Sequence, residues 1–239
     1  MKTKGKLFLI PTTLGDSNPL DVLPIKVKQI IEQTNHFIVE NEKTARRFIK
    51  KICPEKIQSE LIIYPLDKRV ENIDTQNYLD ICNQNINIGL LSEAGVPAIA
   101  DPGAVIVELA HKNNVKVVPL VGPSSILMAM MSSGFNGQNF TFNGYLPIDN
   151  KERKSTLKKL ERLSKDNNQS QIFIETPYRN EKMLQEILSS LHADTKLCIA
   201  ADISLEDEFI RTLSIKEWKN TSRPNLHKRP TIFIIHKFY

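Results

Sequence analysis

The sequence predicts an α/β protein of two α/β domains, the first built on a parallel or mostly parallel sheet with helices on both faces. Three observations carry this expectation. Strand-like and helix-like segments alternate from the first residues, the rhythm of successive βαβ units. Two short apolar runs open directly into loops of small residues: Leu90-Leu91 into Ser92-Glu93-Ala94-Gly95-Val96-Pro97 and on to Asp101-Pro102-Gly103, and Val117-Val118-Pro119-Leu120-Val121 into Gly122-Pro123-Ser124-Ser125. A buried strand that ends in such a loop is where α/β proteins build ligand sites. Finally, the texture changes at Gly134, where the polar break Asn136-Gly137-Gln138-Asn139 precedes Phe140-Thr141-Phe142-Asn143-Gly144-Tyr145. The passage between domains is read in 120–139, with an N-terminal domain over 1–119 and a C-terminal domain with a mixed sheet over 120–239.

In the first domain, the apolar run 6–10 predicts a strand, 25–34 a helix, 37–39 a strand, and 43–52 a helix with Ala45, Phe48, Ile49 and Ile52 on one side. Strands at 61–64, 86–91 and 115–121 follow, separated by helices at 76–84 and 104–112. An apolar helix begins after Ser125. The second domain reads as a helix at 151–165, a strand at 172–175, a helix at 180–191, and strands at 197–201, 209–213 and 231–236. Pro230 sits where the last strand starts, a position a proline tolerates.

Composition limits the classes. At 239 residues with 41% hydrophobic and 25% charged residues, the chain has the make-up of a folded globular protein. No apolar run approaches the ~20 residues of a membrane helix, and Met1-Lys2-Thr3-Lys4-Gly5-Lys6 leads into a strand rather than a signal peptide's apolar core, so a cytoplasmic protein without membrane contact is expected. Cys53, Cys82 and Cys198 stand far apart, with no Cys-x-x-Cys or His-x-x-x-His spacing, and read as reduced structural thiols with no metal site. The five histidines fall in no motif. A net charge of +5 favours an anionic partner.

The turn Pro11-Thr12-Thr13-Leu14-Gly15-Asp16 after the first strand adds a third small-residue loop, which suits a nucleotide-like ligand lying against backbone. Gly-x-Gly-x-x-Gly is absent, and no Gly-Lys-Ser/Thr follows a glycine-rich turn, so neither common nucleotide motif applies. With Asn143-Gly144-Tyr145-Leu146-Pro147 and Phe173-Ile174-Glu175-Thr176-Pro177-Tyr178-Arg179, these loops form an ordered series. Its order and spacing resemble the tetrapyrrole methylase superfamily, and within it the ribosomal small-subunit RNA 2′-O-methyltransferase I family, over nearly the whole chain.

The resemblance implies two α/β domains with S-adenosylmethionine in a cleft between them, and a homodimer. Carried over by position, it implies cofactor contacts at Leu14, Glu93, Gly95, Val96, Ser124 and Ser125, with Glu175, Pro230 and Thr231 from the second domain. The acceptor it implies is RNA of the small ribosomal subunit. The chain departs from the family's Ala-Glu-Asp-Thr-Arg segment, reading Val39-Glu40-Asn41-Glu42-Lys43-Thr44-Ala45-Arg46 instead. For a base that takes the acceptor's proton, Glu40, Glu42 and Glu93 are candidates by position at strand ends, and no spacing singles one out. Glu93 also suits a turn cap, Asp101 reads as a turn former, and Glu175 with Arg179 reads equally as an ion pair or a ligand contact.

Two helices carry cationic faces. At about 100° per residue, Lys151, Lys154, Lys158, Arg162 and Lys165 fall within roughly 80° of arc, opposite Leu157, Leu160 and Leu163. Lys43, Arg46, Arg47 and Lys50 likewise share a side. Such faces track a phosphate backbone or simply keep a surface helix soluble. Trp218 and the segment 223–229 read as a basic loop, either a substrate lid or a surface connection. A methyltransferase with a tetrapyrrole or other small-molecule acceptor, and a cofactor-binding module without catalysis, are the alternative functions.

Overall fold

A computed structural model describes residues 4–66 and 77–238. The chain divides into two compact units, Met1–Ser124 and Ser125–Tyr239. Residues 120–124 go with the first unit because Leu120 donates its backbone amide to Leu9 and packs on that unit's core.

The first unit holds a five-stranded sheet of order β3-β2-β4-β1-β5, with β1 (Lys6–Ile10), β2 (His36–Val39), β3 (Ile62–Pro65), β4 (Ile88–Leu91) and β5 (Lys116–Pro119). Every strand pair is parallel. Successive side chains of a strand point to opposite faces, and the core divides accordingly. Phe8, Ile10, Phe37, Val39 and Leu91 pack on one face, against α2 (Ile25–Glu32) and α3 (Glu42–Ile52). Leu7, Ile38, Ile88 and Leu90 pack on the other, with Ile106 and Ala110 of α4 (Ala104–Lys112). Burial on both faces is why β4 is an unbroken apolar run. A one-turn helix α1 (Pro19–Val22) precedes α2, its proline at the first turn where the missing N–H costs nothing. Of the helix expected over 76–84, Gln76 lies outside the described residues, and the remainder forms a 3-10 turn at Asp80–Gln84 closed by Asn85 in the left-handed region.

The second unit opens with α5 (Ser125–Ser132) and carries a mixed sheet of order β6-β7-β10-β8-β9. Its strands are β6 (Phe140–Tyr145), β7 (Ser170–Ile174), β8 (Lys196–Ala201), β9 (Phe209–Ser214) and β10 (Thr231–His236). Only β6 and β7 pair in parallel among them. The central strand β10 is wholly buried, and its Phe233 stacks on its cross-strand partner Phe173 at 5.9 Å. α6 (Asn150–Asn167) begins at Asp149, whose carboxylate accepts from the amides of Lys151 and Glu152, and ends at Asn168 in the left-handed conformation. α7 (Asn180–Ser190) packs beside it.

Trp218 is not in a loop. It lies on α8 (Ile215–Lys219), fully buried, with its indole N–H donated to the Leu197 carbonyl at 2.9 Å. A capping box between Ser214 and Glu217 starts that helix and holds the Glu217 carboxyl down at about 2, chiefly through its hydrogen bonds to Ser214. The three cysteines are buried and free, and burial pushes the thiols of Cys82 and Cys198 up to about 11.

Candidate active site

In the first sheet β1 lies between β4 and β5, so the carboxyl ends of all three strands sit side by side and their loops converge. The amide of Thr12 donates to the Gly95 carbonyl at 2.9 Å, the Thr12 hydroxyl donates to the Ser92 carbonyl at 3.3 Å, and the Ser92 hydroxyl donates to the Gly95 carbonyl at 2.5 Å. Gly95 has φ +73°, and a Cβ there would come within 3.0 Å of both the Leu14 side chain and the Pro123 carbonyl. A Cβ on Gly122 would meet the Pro11 ring at 2.3 Å. Both glycines let three loops close on one another. Leu14, Gly95 and Pro123, the residue before Ser124, are thereby brought together, and Val96 follows Gly95 directly.

Beside this junction the unit has a cleft of about 310 Å³ lined by the turn from Thr12 to Asp16, by Thr44, Ala45, Arg47, Phe48 and Lys51 of α3, and by Ser92 and Glu93. The Asn41 side chain caps α3 by accepting from the amides of Lys43 and Thr44, which fixes its first turn at the cleft edge. From that turn the Thr44 hydroxyl donates to Glu93 Oε1 at 2.6 Å. Across the cleft, Lys51 binds Asp16 at 2.5 Å, and this hydrogen bond, reinforced by the charges of Lys51 and Arg47, holds the Asp16 carboxyl below its usual range.

Among the three carboxylates considered as bases, Glu93 lines the cleft. Glu42 instead pairs with Arg46 at 2.7 Å, one turn along α3, and Glu40 directly follows β2. Sequence reasoning singled out the loops that hold Thr13 and Ser92 but passed over Thr44 and Phe48 of α3 as lining residues. The available signal was their place on the first turns of α3, but Thr44 meets Glu93 only through the strand order.

In the second unit Glu175 follows β7 and is 5% exposed. Its Oε1 accepts from the Thr176 amide at 2.6 Å and from Arg179 at 2.7 Å, so the ion pair with Arg179 is present. Thr231 begins β10, beside Ala201, and its hydroxyl donates to the Arg229 carbonyl. Asn180, fully buried at the start of α7, donates to the same carbonyl at 2.7 Å, while its amide oxygen has no partner among the described residues. Ser125 is the first residue of α5. Asp101 forms the turn expected of it, its Oδ1 accepting from the amides of Ala98 and Gly103.

The family model for tetrapyrrole (corrin/porphyrin) methylases matches residues 6–219. The chain belongs to the tetrapyrrole methylase family. It is an S-adenosylmethionine-dependent methyltransferase. Relatives named ribosomal RNA small subunit methyltransferase I include those of Bacillus subtilis, 30% identical over 90% of this chain and 70% of the relative, and of Thermotoga maritima, 28% identical over 87% of both. The same fold is seen in the methyltransferase CobJ, with a TM-score of 0.64 at 14% identity over 98% of this chain and 94% of that one. It is also seen in a Thermus thermophilus uroporphyrin-III C-methyltransferase complexed with S-adenosylhomocysteine, with a TM-score of 0.56 at 14% identity over 98% of each chain.

Proposed function

We propose that this tetrapyrrole methylase methylates a ribose 2′-hydroxyl of small-subunit ribosomal RNA. The observation that carries the reading is the likeness, over about nine-tenths of the chain, to relatives named for small-subunit ribosomal RNA methylation. The reading includes a homodimer and a cytoplasmic location. Among the described residues no helix is long and apolar enough to cross a membrane.

The residues present fit the cofactor in chemical kind. In the first unit, Leu14 offers apolar surface, and Gly95, Val96 and Ser124 offer backbone and hydroxyl contacts. In the second unit, Ser125, Glu175, Pro230 and Thr231 take the same role, and the unpartnered Asn180 amide oxygen is an acceptor held beside the 229–231 segment. Bound S-adenosylmethionine supplies a methyl group on an electron-poor sulfur, so the protein's part is orientation, exclusion of water and removal of one proton. Glu93 is the group that accepts the acceptor hydroxyl's proton, and Thr44 holds its carboxylate in place. Arg47 brings positive charge to the same cleft, where it draws the phosphate next to the reacting ribose.

The test is incubation of the purified protein with methyl-labelled S-adenosylmethionine and small ribosomal subunits from cells that lack this chain. Label in the RNA supports the reading. Cofactor binding in a parallel titration, with no label in the subunits, overturns it in favour of a small-molecule acceptor or a module without catalysis.

A further inference from the structure

Sequence periodicity gives two cationic helix faces, and the structure separates them. On α3 two of the four face cations, Arg46 and Lys50, are engaged within their own unit, and Lys43 is exposed. Arg46 binds Glu42 and donates to the carbonyls of Gln58 and Leu61, Lys50 donates to the Pro54 carbonyl, and Arg47 lines the cleft. On α6 the outcome is different. Leu157 and Leu160 are buried with Leu163 packed alongside, and Lys151, Lys154, Lys158, Arg162 and Lys165 are exposed on the other side. None of these five side chains makes a hydrogen bond or ion pair with a described residue. At a rise of about 1.5 Å per residue the row extends about 21 Å along the surface.

The helix's acids stand outside this row. Glu161 accepts from the His192 amide and the Thr195 hydroxyl, and Glu152 and Asp166 fall beyond the roughly 80° arc. Lys154 of α6 and Lys182 of α7 both help lower the Glu186 carboxyl by their charge. The row also has a rigid base. Arg153, on the buried side of α6, donates to the carbonyls of Pro147 and Ile148 and to Asn150, and pairs with Glu186 of α7. A surface helix kept soluble by charge mixes its signs. An unmixed row of cations, with no aromatic among them, matches a run of phosphates rather than bases.

We propose that this face of α6 binds the phosphate backbone of the RNA acceptor and sets its position on the protein without reading its sequence. The proposal rests on the ribosomal RNA reading above. Its test compares two triple variants of the full chain, each losing three positive charges from exposed lysine or arginine. One is Lys154→Gln with Lys158→Gln and Arg162→Gln. The other is Lys26→Gln with Lys112→Gln and Lys216→Gln, scattered over both units.

Binding to a single-stranded fragment of small-subunit ribosomal RNA is measured against salt, with cofactor titration as the check on folding. Each phosphate contact contributes about 0.7 to the slope of log affinity against log salt. The α6 variant is expected to lose about 2 from the slope, and the scattered variant to keep the wild-type slope. The single variant Lys158→Gln, expected to lose about 0.7, serves where the triple variant fails to fold. Equal losses in both triple variants, or no loss in the α6 variant, overturn the proposal, as does tighter binding to anionic lipid vesicles than to the RNA. If wild-type protein methylates subunit RNA while the α6 variant binds as wild type does, this inference alone fails. If wild-type protein neither binds nor methylates the RNA, the functional reading fails with it.

Discussion

Thr44 and Glu93 are far apart in the chain, yet their 2.6 Å hydrogen bond spans the edge of the cleft. If Glu93 takes the acceptor's proton, Glu93→Gln lowers kcat by about 100-fold or more and leaves the cofactor's Kd nearly unchanged. Thr44→Val, which acts through Glu93, gives a smaller loss of kcat with KM unchanged, and Thr44→Ser restores the loss. A rise in cofactor Kd with kcat preserved would instead make Glu93 a cofactor contact. Gly95 is constrained in another way. In Gly95→Ala the new Cβ meets Leu14 and Pro123, and the left-handed backbone costs about 1–2 kcal/mol. Chemical denaturation is expected to show at least that loss, with weaker cofactor binding because the junction of three loops opens.

The helix pair α6 and α7 shows how an element is held. Arg153 and Glu186, with side chains 3% and 10% exposed, meet at 2.5 Å. The Arg153 hydrogen bonds hold the Glu186 carboxyl below its usual range against the opposing effect of burial. A depressed carboxyl contributes stability that is present above the unfolded value and lost as pH falls, so urea unfolding is expected to weaken from about pH 4 downward. Glu186→Gln, which strands a buried guanidinium, is expected to cost about 3 kcal/mol and to flatten that dependence. The double replacement Arg153→Met with Glu186→Leu costs much less. Equal losses from the single and double changes would contradict a role for the pair's burial.

Helices with an apolar stripe were legible at this scale. The expected span 104–112 is that of α4, and 151–165 lies inside α6. Short elements were not. α8 has only five residues, too few for periodicity to show, although Ser214-x-x-Glu217 carries the capping-box pattern. Its omission left Trp218 in an imagined loop, when its indole N–H has a buried carbonyl to satisfy. On α3 periodicity shows which side of the helix the cations occupy, and says nothing of a neighbouring turn whose carbonyls claim Arg46.

Over the whole molecule, the order of small-residue loops along the chain carried the family, while the assembly of the site depended on strand order. Sequence alone does not show that β1 lies between β4 and β5, and that arrangement is what joins Thr12 to Gly95 and Leu14 to Pro123. The Thr44 hydroxyl and the choice of Glu93 over Glu42 were therefore hidden, whereas the loops that hold Leu14, Gly95 and Glu93 stood out after apolar strands and the resemblance implied the individual residues. The central claim concerns one oxygen atom, and alkali tests it most directly. A phosphodiester whose neighbouring ribose oxygen is methylated resists alkaline cleavage, because the attacking 2′-hydroxyl is gone. Small-subunit RNA labelled by this protein, when hydrolysed in alkali, is predicted to release the methyl label in a resistant dinucleotide. Release of the label in a mononucleotide would place the methyl group on a base and contradict the account.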